Sequence, residues 1–299
     1  MRLRPLAALV VISVASAGCG AGRPGQTSII RIVAAEAVWG DIAGSIAGPQ
    51  GEVRNLIASS AVDPHAYDPT ASDARSLADA NLVIVNGIGY DSWAKASLEA
   101  SPSDSRVDVD VGTVLGLRAG ANPHQWYAPG SVRRVVHAFA VALGKIDPNH
   151  RARYLTRART YLRSTLGPYN IALREISSRY AGVAVGYSET IFEPLGTSLG
   201  LRLETPEGLP RSVSEGAEPS AGDIVTAKRQ ASRHEIAVWI VNAQNMTPEV
   251  QRITDVAAEA GVPIVSVTES PSPESASFAA WQTRQLEELR GALHKATGR

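Results

Sequence analysis

The 299-residue chain has one cysteine, two methionines, three phenylalanines and no excess of either charge, with 29 Lys+Arg against 29 Asp+Glu. One cysteine excludes an intrachain disulfide, a cysteine-rich zinc site and an iron–sulfur cluster. Two methionines argue against a soft Met-lined groove. Balanced charge gives no long-range pull toward nucleic acid, so no nucleic-acid partner is expected. No apolar run reaches the roughly 20 residues that a membrane-spanning helix needs. The remainder is 44% hydrophobic, which is enough to build a core. Its length suits two domains of about 100–200 residues each, or one large α/β unit.

The first residues read as an address. Arg2 and Arg4 precede an apolar run from Leu6 to Ala17, then Ala15-Ser16-Ala17-Gly18 leads into Cys19. The run has the length of a signal-peptide core and is too short for a bilayer span. The small residues before Cys19 resemble the bacterial lipoprotein box, although Ser16 stands where that pattern prefers Leu. The resemblance implies cleavage before Cys19 and a lipid on its sulfur, stably anchoring where two or more acyl chains are attached. Residues 1–18 are expected to be the signal and residues 19–27 a lipidated tether.

Beyond the tether, short apolar runs alternate with helical patterns. The runs are Ile29–Ala34, Val53–Ile57, Leu82–Val85 and Val107–Val111, then Val183–Val185, Leu201–Leu203, Ile236–Val241 and Val262–Val267. Ser72–Ala80, Val132–Leu143, Pro248–Ala260 and Phe278–Leu293 carry helical spacing. This alternation predicts two similar α/β lobes, each a mostly parallel four-stranded sheet flanked by helices. The lobes are expected at residues 28–146 and 181–299. Between them, Leu155, Leu162, Leu166, Tyr169, Leu173, Ile176 and Tyr180 fall on one helical face. Residues 147–180 are therefore expected to form one long linking helix, with a kink at Gly167-Pro168 or a break there into two consecutive helices.

Two of the six histidines sit in echoing frames: Asp63-Pro64-His65-Ala66-Tyr67-Asp68-Pro69 and Asn122-Pro123-His124-Gln125-Trp126-Tyr127-Ala128-Pro129. Flanking prolines stiffen both loops. Both loops follow strands, and open α/β sheets bind ligands beyond the carboxyl ends of their strands. Two other motifs carry less. Asn86-Gly87-Ile88-Gly89-Tyr90-Asp91-Ser92 lacks the third glycine of a dinucleotide fingerprint and reads as a turn beside the cleft. Gly186-Tyr187-Ser188-Glu189-Thr190 lacks the last glycine of a nucleophile elbow.

With those residues in view, the chain resembles the metal-binding lipoproteins of bacterial ABC importers, the cluster A-I solute-binding proteins for zinc and manganese. The likeness is carried by Trp39-Gly40-Asp41-Ile42, the two histidine frames, Asn86-Gly87 with Tyr90, Asp91 and Trp93, Ser188-Glu189, Glu218-Pro219-Ser220, Asn242 with Gln244, and Thr268-Glu269. It implies a metal site in the cleft between two lobes, with His65, His124, Glu189 and Glu269 as ligands. Glu269 stands where the family usually has Asp. Asp63, Tyr67, Trp126, Ser188 and Asn242 are expected to line the cleft. The implied partners are a permease and its cytoplasmic ATPase, with the protein a monomer on the outer face of the membrane. The cargo would be one divalent transition metal, Mn2+ or Zn2+. Imidazole and carboxylate suit these metals, no thiolate selects copper(I), and two carboxylates neutralise a divalent charge. The chain lacks the His-rich loop of many zinc-type members. Two rival readings use the same residues: an adhesin with a structural metal, and a metallohydrolase, which would need an open coordination position and a general base.

Overall fold

The computed structural model describes residues 29–59 and 67–299. Residues 1–28, with Cys19, and residues 60–66, with Asp63 and His65, lie outside the described residues. Among those described, no helix is long and apolar enough to cross a membrane.

The first lobe is built from strands β1 (Ile30–Glu36), β2 (Gly51–Ile57), β3 (Leu82–Val85) and β4 (Val107–Asp110), all parallel, in the order β2-β1-β3-β4. The second repeats that order with β5 (Ala184–Tyr187), β6 (Arg202–Leu203), β7 (Val238–Asn242) and β8 (Ile264–Val267), arranged β6-β5-β7-β8. The inner strands β3 and β7 are buried along their whole length, as helices on both faces require. The edge strand β8 alternates exposed and buried residues. In each sheet the chain reverses direction beside the first strand, between β1 and β3 and again between β5 and β7. Such a switch point is where open α/β sheets bind ligands.

Helix α1 (Ala37–Ala47) continues directly from β1 and buries Val38, Trp39, Ile42, Ala43 and Ile46. Helices α2 (Ala71–Asp79), α3 (Ser92–Ala100), α4 (Val111–Leu115) and α5 (Pro129–Ile146) complete the first lobe. The second carries α8 (Glu193–Ser198), α9 (Gly208–Ser214), α10 (Ala221–Ser232), α11 (Pro248–Glu259) and α12 (Phe278–Thr297). Ser220 caps α10 by accepting a hydrogen bond from the Asp223 backbone N–H at 3.1 Å, which is the local role of Glu218-Pro219-Ser220. Thr247 caps α11 in the same way, with Pro248 at its start.

Between the two sheets run α6 (Arg151–Thr160) and α7 (Gly167–Tyr180), joined by one π-helical turn at Tyr161–Thr165. Pro168 has no N–H for the carbonyl four residues back, and its ring would press on that carbonyl. The chain takes up this misfit one turn earlier, where the Leu166 N–H reaches the Tyr161 carbonyl, five residues back, at 2.8 Å. The extra residue resets the helical phase. The buried face is Tyr154, Ala158 and Tyr161 before the turn, and Leu166, Tyr169, Ala172, Ile176 and Tyr180 after it. Leu155 and Leu162, on the face that a uniform spacing selects, are only partly buried. One continuous core runs from the first lobe through these helices into α12.

Candidate metal centre

His124, Glu189 and Glu269 converge from the two lobes, and one ligand atom from each lies within 4.8 Å of the others. Glu189 and Glu269 stand just beyond the carboxyl ends of β5 and β8, and His124 lies in the connection between α4 and α5. His124 and Glu189 are buried, at 1% and 3% exposure.

The His124 tautomer is set by Asn122. The Asn122 Nδ2 donates across the cleft to the Thr190 carbonyl at 2.7 Å and to Glu193 Oε2 at 3.1 Å. Its Oδ1 therefore points at His124, accepting from the backbone N–H at 2.9 Å and facing Nδ1 at 3.1 Å. An amide oxygen only accepts, so Nδ1 carries the proton and Nε2 is the lone-pair nitrogen. This is the arrangement a metal-ligating histidine needs. Trp126 and Tyr90 hold the ring edge-on, with centroids at 5.4 and 5.9 Å.

The two glutamates are tied to each other and to the first lobe. Asn242, the last residue of β7, donates Nδ2 to Glu189 Oε2 at 2.6 Å and to Glu269 Oε1 at 3.0 Å. Tyr90 donates its hydroxyl to Glu269 Oε2 at 2.7 Å, across 179 residues of sequence. Burial, then the nearby Glu269 carboxylate, raises the Tyr90 phenol well above its usual value, so it stays a donor. Gln244 Oε1 accepts from the backbone N–H groups of Glu269 (2.5 Å) and Ser270 (3.0 Å), which fixes the loop that presents Glu269. Ser188 is buried, and its Oγ accepts the Asn242 backbone N–H at 3.1 Å, which ties the start of the Glu189 loop to the end of β7.

Tyr90 is aimed by the glycine turn after β3. Gly87, Ile88 and Gly89 all have positive φ, at 69°, 61° and 90°. That conformation is strained for the β-branched Ile88. The Asp91 carboxylate clamps the turn by accepting the N–H groups of Asn86 at 2.7 Å and Gly87 at 2.8 Å. Glu36, at the end of β1, is buried next to Asp91. Burial, then the Asp91 charge, raises the Glu36 carboxyl well above its usual value.

Tyr67 makes its contacts at the start of α2. Its hydroxyl donates to Asp73 Oδ2 at 2.8 Å, within the capping box that Thr70 and Asp73 form at the start of α2. Its ring packs against Trp93, with centroids 4.7 Å apart. Burial would raise the Asp73 carboxyl, but hydrogen bonds from Thr70 and Tyr67, with the Arg54 charge, hold it below its usual value. Asp63 and His65 lie outside the described residues. Tyr90, Asn122 and Gln244 were not among the expected cleft residues. All three were among the residues that carry the family likeness, but nothing in the sequence showed which ligand each would hold.

Two parallel sheets presenting an imidazole and carboxylates to a shared cleft define the class: a two-lobed α/β solute-binding protein. The chain belongs to the family described as zinc-uptake complex component A, periplasmic, whose model matches residues 32–292. That family supplies binding components of importers, not enzymes. Among curated relatives, the manganese-binding lipoprotein MntA of Halalkalibacterium halodurans is 30% identical over 161 residues, covering 52% of this chain and 53% of the relative. The chain thus spans about half the length of that relative. The iron-binding protein YfeA of Yersinia pestis is 24% identical over 278 residues, covering 89% of this chain and 78% of the relative. Among solved structures, the Mn-bound periplasmic metal-binding protein of Candidatus Liberibacter asiaticus matches with a TM-score of 0.72 at 19% identity. It covers 88% of this chain and 99% of that one, and it supports the fold.

Proposed function

We propose that this chain captures a divalent transition metal, Mn2+ or Zn2+, outside the cytoplasm and delivers it to an ABC permease. The observation that carries this is the convergence of His124, Glu189 and Glu269 from both lobes within 4.8 Å. His65 supplies the fourth ligand on this account. The donor set fits the cargo: a histidine poised on Nε2 and two carboxylates whose charge matches a divalent ion. The names of the relatives support the same cargo class.

The metal sits where the lobes meet, so its capture draws on both. The first lobe gives His124 and the Tyr90 hydroxyl, and the second gives Glu189 and Glu269. A permease can distinguish the loaded protein because the ion changes the relation between the two lobe faces. The protein acts as a monomer, held to the outer face of the membrane by lipid on Cys19. Elemental analysis of protein purified without added metal tests the reading, with about one Mn or Zn per chain expected and none contradicting it. Cys19→Ala should move the protein from the membrane fraction to the soluble one.

A further inference from the structure

The amide of Asn242 sits against both carboxylates of the cluster. Its orientation is fixed from behind: Oδ1 accepts the Gln244 backbone N–H at 3.0 Å, so Nδ2 must face the carboxylates. One proton goes to Glu189 at 2.6 Å and the other to Glu269 at 3.0 Å. The backbone is fixed as well, because the Asn242 N–H is bonded to Ser188 Oγ at 3.1 Å. The side chain is 1% exposed and cannot swing away without breaking these contacts. Two carboxylates this close, one of them buried, repel unless something positive lies between them.

We propose that Asn242 is the positioning residue of the metal centre. Its neutral NH2 group bridges Glu189 and Glu269, holding them in ligating register before the ion arrives. This rests on the metal-binding reading above. An amide suits the task better than a cation: a lysine would cancel the charge needed to attract metal, while an amide offers only partial positive charge. The carboxylates are not used up, since an oxygen that accepts one hydrogen bond keeps another lone pair. Asn242 thus sets the spacing of the two anionic ligands, and with it the coordination geometry imposed on the cargo.

The test uses Co2+ as a spectroscopic probe on the full chain. Asn242→Asp keeps the shape and the acceptor for Gln244 but removes both donated hydrogen bonds. Asn242→Ala removes the side chain without adding charge, and serves if the aspartate variant does not fold. Three results are expected. Metal-free Asn242→Asp melts roughly 5 °C or more below the unaltered protein. Asn242→Ala binds Co2+ about 10–100-fold more weakly, the usual cost of losing a group that orients a metal ligand. The visible spectrum of bound Co2+, which reports ligand number and geometry, changes in both. A lowered melting temperature with an unchanged spectrum and affinity would mean an ordinary structural residue and would overturn the proposal. Failure of the unaltered protein to bind Co2+, Mn2+ or Zn2+ would overturn the metal-binding reading itself, and this inference with it.

Discussion

Tyr90→Phe removes one oxygen and nothing else, and the structure says what that oxygen does. The Tyr90 hydroxyl, on a residue only 2% exposed, donates to Glu269 Oε2 at 2.7 Å and ties the first lobe to a candidate ligand of the second. A hydrogen bond to a charged acceptor contributes about 1.5–3 kcal/mol. In a chain of this size each kcal/mol shifts the melting temperature by roughly 2–4 °C. Metal-free Tyr90→Phe should therefore melt about 3–12 °C lower, measured by scanning calorimetry with a chelator present. Tyr161→Phe is the control. It makes the same change at a buried tyrosine whose hydroxyl hydrogen-bonds to no described residue, so it should leave the melting temperature unchanged or raise it. Equal effects of the two substitutions, or a Tyr90→Phe protein as stable as the unaltered one, would refute the cross-lobe bond.

Glu36 is buried with its carboxyl raised above the ordinary value of 4.5. The folded state holds that proton while the unfolded state releases it, so stability is lost as pH rises above about 4.5 through the folded value. Glu36→Gln should then be more stable than the unaltered protein, by a margin that widens toward neutral pH; a pH-independent margin in thermal melts would contradict the assignment. Gly87 has φ 69°, and a Cβ there would lie 2.6 Å from Asp110 Oδ1, which caps α4. Gly87→Ala should cost about 1–2 kcal/mol from the backbone alone, read as a lower denaturant midpoint, and a midpoint equal to that of the unaltered protein would count against the strained turn. Metal affinity should fall as pH drops from about 7.5 to 5, because the histidines must be neutral to bind; competition titrations at both values check this, and a flat response argues against histidine ligation.

All eight strands were legible as short apolar runs, most plainly β3 and β7, which are covered on both faces and need no polar alternation. Helix α1 was not, since Val38, Trp39 and Ile42 continue the apolar character of β1 without a turn residue between them. The phase of the linking helices was misread for a different reason. Spacing analysis assumes 3.6 residues per turn throughout, and the π-helical turn before Pro168 adds one. The histidine frame around His124 was legible from its prolines. The partners that fix the tautomer and the carboxylates were not, because Asn122 reaches Thr190 and Tyr90 reaches Glu269 across 68 and 179 residues of sequence. Such contacts leave no periodicity in the chain. Tyr67 shows the converse: an aromatic at a suggestive spacing from His65 is engaged instead by Asp73 and Trp93.

The central claim is that one divalent metal is held by ligands from both lobes. Competition titration of the metal-free protein with Zn2+ and Mn2+ tests it most directly, with Glu189→Ala and His65→Ala alongside. One tight site in the unaltered protein, lost in each variant, is the predicted result. A site that survives either substitution, or no tight site at all, would contradict the claim.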